Sequence, residues 1–85
     1  MRKFEYVIKE PIGIHARPAG MLVKAASAYK CTITIEKNGK KVDAKKLMAL
    51  MALAVKCGET AIFTIEGEDE DIAAAELENI CKENL

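Results

Sequence analysis

Tryptophan is absent from this 85-residue chain, histidine occurs once, and the aromatic set is two Tyr and two Phe. So few rings leave little for a base-stacking surface, and no known nucleic-acid motif accompanies Tyr6 and Tyr29, so no nucleic-acid partner is expected. The cysteines, Cys31, Cys57 and Cys81, are odd in number, widely spaced and without a C-x-x-C pair. That argues against a disulfide framework, and with a lone histidine it leaves no zinc or other metal site to expect. Buried or semi-buried structural thiols are the expected role. No apolar run reaches the length of a membrane helix, and Met1-Arg2-Lys3-Phe4 lacks the apolar stretch of a signal peptide. Direct membrane insertion is therefore not expected, and a cytoplasmic location is.

No linker, repeat or low-complexity segment interrupts the chain, which reads as a single domain over residues 1–85. Hydrophobic residues make up 51% and charged residues 31%, a globular balance. Net charge is zero yet unevenly placed: residues 1–56 carry 12 Lys/Arg against 4 Asp/Glu, and residues 57–85 carry 1 against 9. If folding preserves that asymmetry, the basic part attracts acidic partners or anionic groups.

Arg2 to Lys9 alternates, with Phe4, Tyr6 and Ile8 on one face, and reads as a half-buried strand. Glu10-Pro11-Ile12-Gly13 breaks it. From Ala16 to about Tyr29, Ala19, Leu22, Val23, Ala26 and Tyr29 recur at helical spacing, opposite Arg17, Gly20, Lys24 and Ser27. Gly20, costing about 1 kcal/mol in a helix, hints at a close approach there. Cys31 to Glu36 is β-branched and alternating, Asn38-Gly39 is a strong hairpin signal, and Lys40 to Asp43 pairs back. Leu47 to Val55 is apolar nearly all round and predicts a short helix, with Leu47, Met48 and Met51 placed to form an exposed adhesive patch. Thr60 to Glu66 is a fourth strand with Ala61, Phe63 and Ile65 inward. A last helix follows to about Asn84, capped by Asp69 or a neighbouring acid and burying Ala73, Leu77, Ile80 and Cys81. The order β-α-β-β-α-β-α predicts an α+β open-faced sandwich, a four-stranded antiparallel sheet with helices on one face.

The single histidine lies in Gly13-Ile14-His15-Ala16-Arg17-Pro18-Ala19, between the first strand and the first helix. Gly13 permits a left-handed turn, and Pro18 suits a first helical turn, where an N–H is not needed. His15 is thus expected at or beside an N-cap, facing unpaired N–H groups and the positive end of the helix dipole. That position favours anions, phosphate among them, and disfavours imidazolium, leaving a neutral nucleophilic ring. Arg17 adds planar donors for phosphate oxygens. The pattern fits a histidine that accepts a phosphoryl group and passes it on. A capping or surface histidine fits the same spacing.

Over its whole length the chain resembles HPr, the histidine-containing phosphocarrier family of the bacterial sugar phosphotransferase system. The resemblance is carried by residues 13–19, Asn38-Gly39, Met48, Met51, Gly58 and Glu66-Gly67. It implies a stoichiometric carrier rather than an enzyme, without a cofactor. In such a carrier His15 takes a phosphoryl group on Nδ1 from phosphorylated Enzyme I and donates it to IIA domains of sugar permeases. Arg17 and the backbone N–H groups after His15, starting at Ala16, would hold the phosphate. Gly20, Lys24, Leu47, Met48 and Met51 correspond to the family's docking surface, ringed by Arg17, Lys24, Lys45 and Lys46. A monomer is expected.

Two positions depart from the pattern. Many Gram-positive members carry a regulatory serine where this chain has Lys46, so no hydroxyl is available there and a helix N-cap acceptor is missing. Ile12 replaces a small hydroxyl or amide residue. The competing reading is an HPr-like regulatory module that docks a transcription factor or enzyme without carrying phosphate. Retention of His15 and loss of the serine run opposite to that role.

Overall fold

The computed structural model describes residues 1–85. Its elements are β1 (Arg2–Val7), α1 (Ala16–Ser27), β2 (Thr32–Lys37), β3 (Lys40–Asp43), α2 (Leu47–Leu53), β4 (Thr60–Glu66) and α3 (Glu70–Asn84). The expected order and the open-faced α+β sandwich are both present. All strand pairs are antiparallel, in the spatial order β1-β4-β2-β3. β4, last in sequence, is therefore interior to the sheet. Its inward residues Ala61, Phe63 and Ile65 are fully buried. Phe4 lies opposite Phe63 in register, and their rings stack at 4.7 Å between centroids, an aromatic cross-strand pair that fixes how β1 sits on β4.

Asn38 (φ 51°) and Gly39 (φ 82°) both adopt left-handed backbone angles, the geometry of a two-residue turn whose twist matches that of β2 and β3. The helices bury one stripe each against the sheet: Pro18, Ala19, Leu22, Ala25 and Ala26 from α1, Leu50 and Leu53 from α2, and Ala73, Ala74, Leu77 and Cys81 from α3. The result is one cluster of 21 buried residues, all of them apolar or cysteine. Each large side chain in it, such as Leu22 or Leu77, contributes about 1.5–3 kcal/mol through removal from water. No helix is long and apolar enough to cross a membrane.

Several local expectations need correction. α1 stops at Ser27 rather than near Tyr29, and Val23, Tyr29 and Ile80 pack only partly buried at the margin of the core. α2 ends at Leu53, because Ala54 turns left-handed (φ 54°) and its N–H bonds Met51 O. Val55 leaves the helix and is buried on its own account, 2% exposed. Asp69 occupies the N-cap position of α3 but makes no cap bond. Its carboxylate instead accepts the Lys30 N–H at 3.1 Å and the Cys31 N–H at 3.2 Å, tying the start of α3 to the α1–β2 connection. Cys31 and Cys81 are buried as expected, whereas Cys57 is exposed.

Candidate functional site

The segment leading to the lone histidine is shaped by contacts with the chain just after α2. The Ile14 N–H donates to Val55 O at 2.9 Å, and the Gly13 N–H to Glu10 O at 2.8 Å. Gly13 has φ 80°, and a Cβ there would lie 2.5 Å from Val55 O and 2.9 Å from Lys56 Cα. Both the dihedral and the space demand glycine. Ile14 is buried beneath this crossing, which anchors the residue immediately before His15.

His15 is the N-cap of α1, with extended backbone (φ −104°, ψ −172°). Its carbonyl accepts the Ala19 N–H at 2.9 Å, the first turn of the helix. Its half-buried ring makes no cap hydrogen bond and stands free at the helix head. Pro18 has no N–H, so Ala16 and Arg17 supply the first-turn backbone donors that the helix itself leaves unpaired. The arrangement follows from local sequence: glycine to turn, a non-capping side chain at the N-cap, proline in the first turn.

His15 and Arg17 share an open cavity of about 270 Å³ with Pro18, Met21, Glu10, Glu83 and Asn84. Glu10, Glu83 and Asn84 carry no sequence signal for this place. Glu83 and Asn84 arrive because the end of α3 folds back on the first loop, where Leu85 O accepts the N–H groups of Lys9 and Glu10. The rim therefore mixes one guanidinium with two carboxylates. Arg17 is exposed and takes part in none of the ion pairs, so its donors remain available to an anion. No three His, Cys, Asp or Glu side chains converge to hold a metal ion.

The expected docking residues are distributed over two elements. On α2, Met48 is 78% exposed, Leu47 40% and Met51 38%. On α1, Lys24 is exposed and Gly20 half-buried, and a Cβ added at Gly20 would meet nothing within 4 Å. The close approach expected at Gly20 is thus absent; that flank is open. Lys24 lines a second groove with Met21, Glu76 and Ile80, placing it beside α3. Lys45 does not ring the α2 patch as a free cation, because its Nζ donates to Tyr29 O at 2.8 Å, just beyond the end of α1. Lys46 is exposed and is the N-cap of α2, with no side-chain cap bond. Met21, 38% exposed, adds apolar surface to the cavity, and Ile12 in the preceding loop is 70% exposed.

Comparison with known proteins gives a consistent set of relatives. The family model described as the PTS HPr component phosphorylation site matches residues 2–83. The phosphocarrier protein HPr of Borreliella burgdorferi is 47% identical over 77 residues, covering 91% of this chain and 90% of the relative. The crystal structure of HPr-C-His from Thermoanaerobacter tengcongensis superposes with a TM-score of 0.92 at 38% identity, covering 96% of this chain and 92% of that one. The solution structure of Crh, the Bacillus subtilis catabolite repression HPr, is also 38% identical, with a TM-score of 0.71 over 99% of this chain and 98% of that one. With its free histidine at a helix head and this breadth of match, the chain belongs to the HPr family, the phosphocarriers of the phosphotransferase system.

Proposed function

We propose that His15 is the phosphoryl acceptor, taking its group from phosphorylated Enzyme I and donating it to IIA domains of sugar permeases in the cytoplasm. The observation that carries this reading is the unbonded His15 ring at the head of α1, sharing an open cavity with an unpaired Arg17. In the transfer, Nδ1 of His15 forms an N–P bond as the N–P bond of the donor phosphohistidine breaks, and the donor ring keeps the electron pair. Charge on the transferred phosphoryl group falls beside the Ala16 and Arg17 N–H groups and the Arg17 guanidinium. Positioning and electrostatics are the protein's main contribution to such a step. The open cavity suits a carrier, whose phosphohistidine must be reached by unlike partners.

Leu47, Met48 and Met51, with Gly20 and Lys24 on α1, form the docking surface in this reading, and residues 1–85 act as one monomeric unit. The regulatory alternative draws support from the likeness to Crh. Against it stand Lys46, which offers no hydroxyl, and the retained His15.

Intact mass after incubation with phosphoenolpyruvate and a general Enzyme I tests the reading, with His15→Ala alongside. The expected result is one acid-labile phosphoryl group on the wild type and none on the variant. A folded wild type that takes up nothing while a control carrier is phosphorylated would favour the binding module.

A further inference from the structure

The bond that seats the residue before His15 depends on a segment with its own support. Val55 O, which accepts the Ile14 N–H, lies between two residues held by a single ion pair. Lys37, the last residue of β2, has a side chain only 16% exposed. Its Nζ donates to Ala54 O at 2.8 Å and to Glu59 Oε1 at 3.1 Å. The same Glu59 Oε1 accepts the Lys56 N–H at 2.7 Å, and the Glu59 N–H returns to Lys56 O at 3.0 Å. Ala54 and Lys56 are thus both anchored, one on each side of Val55. Ala54 is a non-glycine residue in a left-handed conformation, a state that persists where its surroundings enforce it. The segment also holds the outgoing end of β1, through Gly58 N–H to Ile8 O at 2.8 Å and Ile8 N–H to Glu59 O at 3.0 Å.

We propose that Lys37 and Glu59 are positioning residues of the phosphoryl site: their ion pair fixes residues 54–56, and through the Val55 carbonyl it fixes Ile14 and the placement of His15. Neither side chain lines the cavity, so the pair acts through the backbone, by way of that carbonyl. The tolerance is small, since Gly13 already packs against Val55 O with no room for a methyl group. The backbone N–H of Lys56 and the Lys37 ammonium hold the Glu59 carboxyl below the usual carboxylate range, in keeping with a pair that stays charged at neutral pH. This inference rests on the phosphocarrier reading for its rate, but not for its geometry.

The test compares Lys37→Met, which keeps the stem and removes the donor, with Lys37→Arg, which restores a cation. Single-turnover phosphoryl uptake is measured at saturating phosphorylated Enzyme I, well below each melting midpoint, so that long-range charge steering is excluded. Amide hydrogen exchange is followed at Ile14 and, as a remote reference, at Ile33. Lys37→Met is expected to slow uptake about tenfold, within the roughly hundredfold loss that a 1 Å misplacement can bring. Ile14 exchange should quicken by a similar factor while Ile33 is unchanged, and Lys37→Arg should recover most of both. Uptake within about twofold of wild type overturns the positioning role, as does unaltered Ile14 exchange. If the wild type itself takes up no phosphate, the phosphocarrier reading fails, and the Ile14 exchange still decides the geometric inference.

Discussion

Asp69 stands where a helix cap belongs and bonds elsewhere. Its carboxylate accepts two N–H groups from the α1–β2 connection, and the Lys30 N–H is the chief cause of a pKa held below the ordinary Asp range. A carboxyl whose folded pKa is depressed adds stability at pH values above its unfolded pKa, about 3.9. That contribution is lost as pH falls through the lower folded value. The melting midpoint should therefore decline below about pH 4. Asp69→Asn, which leaves one N–H without an acceptor, should melt lower than wild type at pH 7 and lose less between pH 5 and pH 3. Thermal melts at these three values check this; parallel wild-type and variant curves would remove Asp69 from the account.

At the scale of the element, α2 starts without a side-chain cap or an acidic residue in its first turn. Lys46 takes the extended N-cap conformation but has no oxygen to offer, and its cation sits at the positive end of the helix. Lys46→Ser should stabilise by about 1 kcal/mol for the regained acceptor, with a few tenths more from the removed charge. For a chain of this size that raises the melting midpoint by about 4–8 °C, as differential scanning calorimetry would show. An unchanged or lower midpoint would count against helix capping at Lys46. The apolar character of α2 was legible in sequence and its length was not. Val55 continues the apolar run yet belongs to the support beneath Ile14, and periodicity cannot separate a helix end from a buried extended residue that follows it.

Across the whole molecule, folding partly cancels the charge asymmetry of the chain. Arg2 pairs with Asp71 at 3.6 Å, and Glu83 enters the cavity that holds Arg17. Arg17, Lys24 and Lys46 stay exposed without ion pairs, and Lys46 heads α2 with its exposed Leu47 and Met48. Partner association at this face should weaken with salt and with loss of Met48. Met48→Glu is expected to leave the melting midpoint within about 2–4 °C, since a substitution at an exposed position changes stability by only about 0.5 kcal/mol. It should lower phosphoryl uptake at limiting Enzyme I and spare the rate at saturation. Stopped-flow transfer at two salt concentrations reads both effects, and a variant as fast as wild type at limiting Enzyme I would move the docking surface elsewhere.

What depends on neighbours a few residues away could be read from the chain before it folds. The strand and helix periodicities, the Asn38-Gly39 turn, the left-handed turn at Gly13 and the place of His15 at a helix head are all of this kind, because dihedral preference and capping act locally. Family motifs over the same stretches identified the phosphocarrier lineage. The folded arrangement is needed to see that β4 lies between β1 and β2, and that Glu83 comes to Arg17 from the other end of the chain. It alone set Asp69 across to Cys31, Lys45 against Tyr29, and Lys37 and Glu59 around Val55. These are pairings between distant segments. Packing of buried faces selects them jointly, and no window of sequence holds both partners.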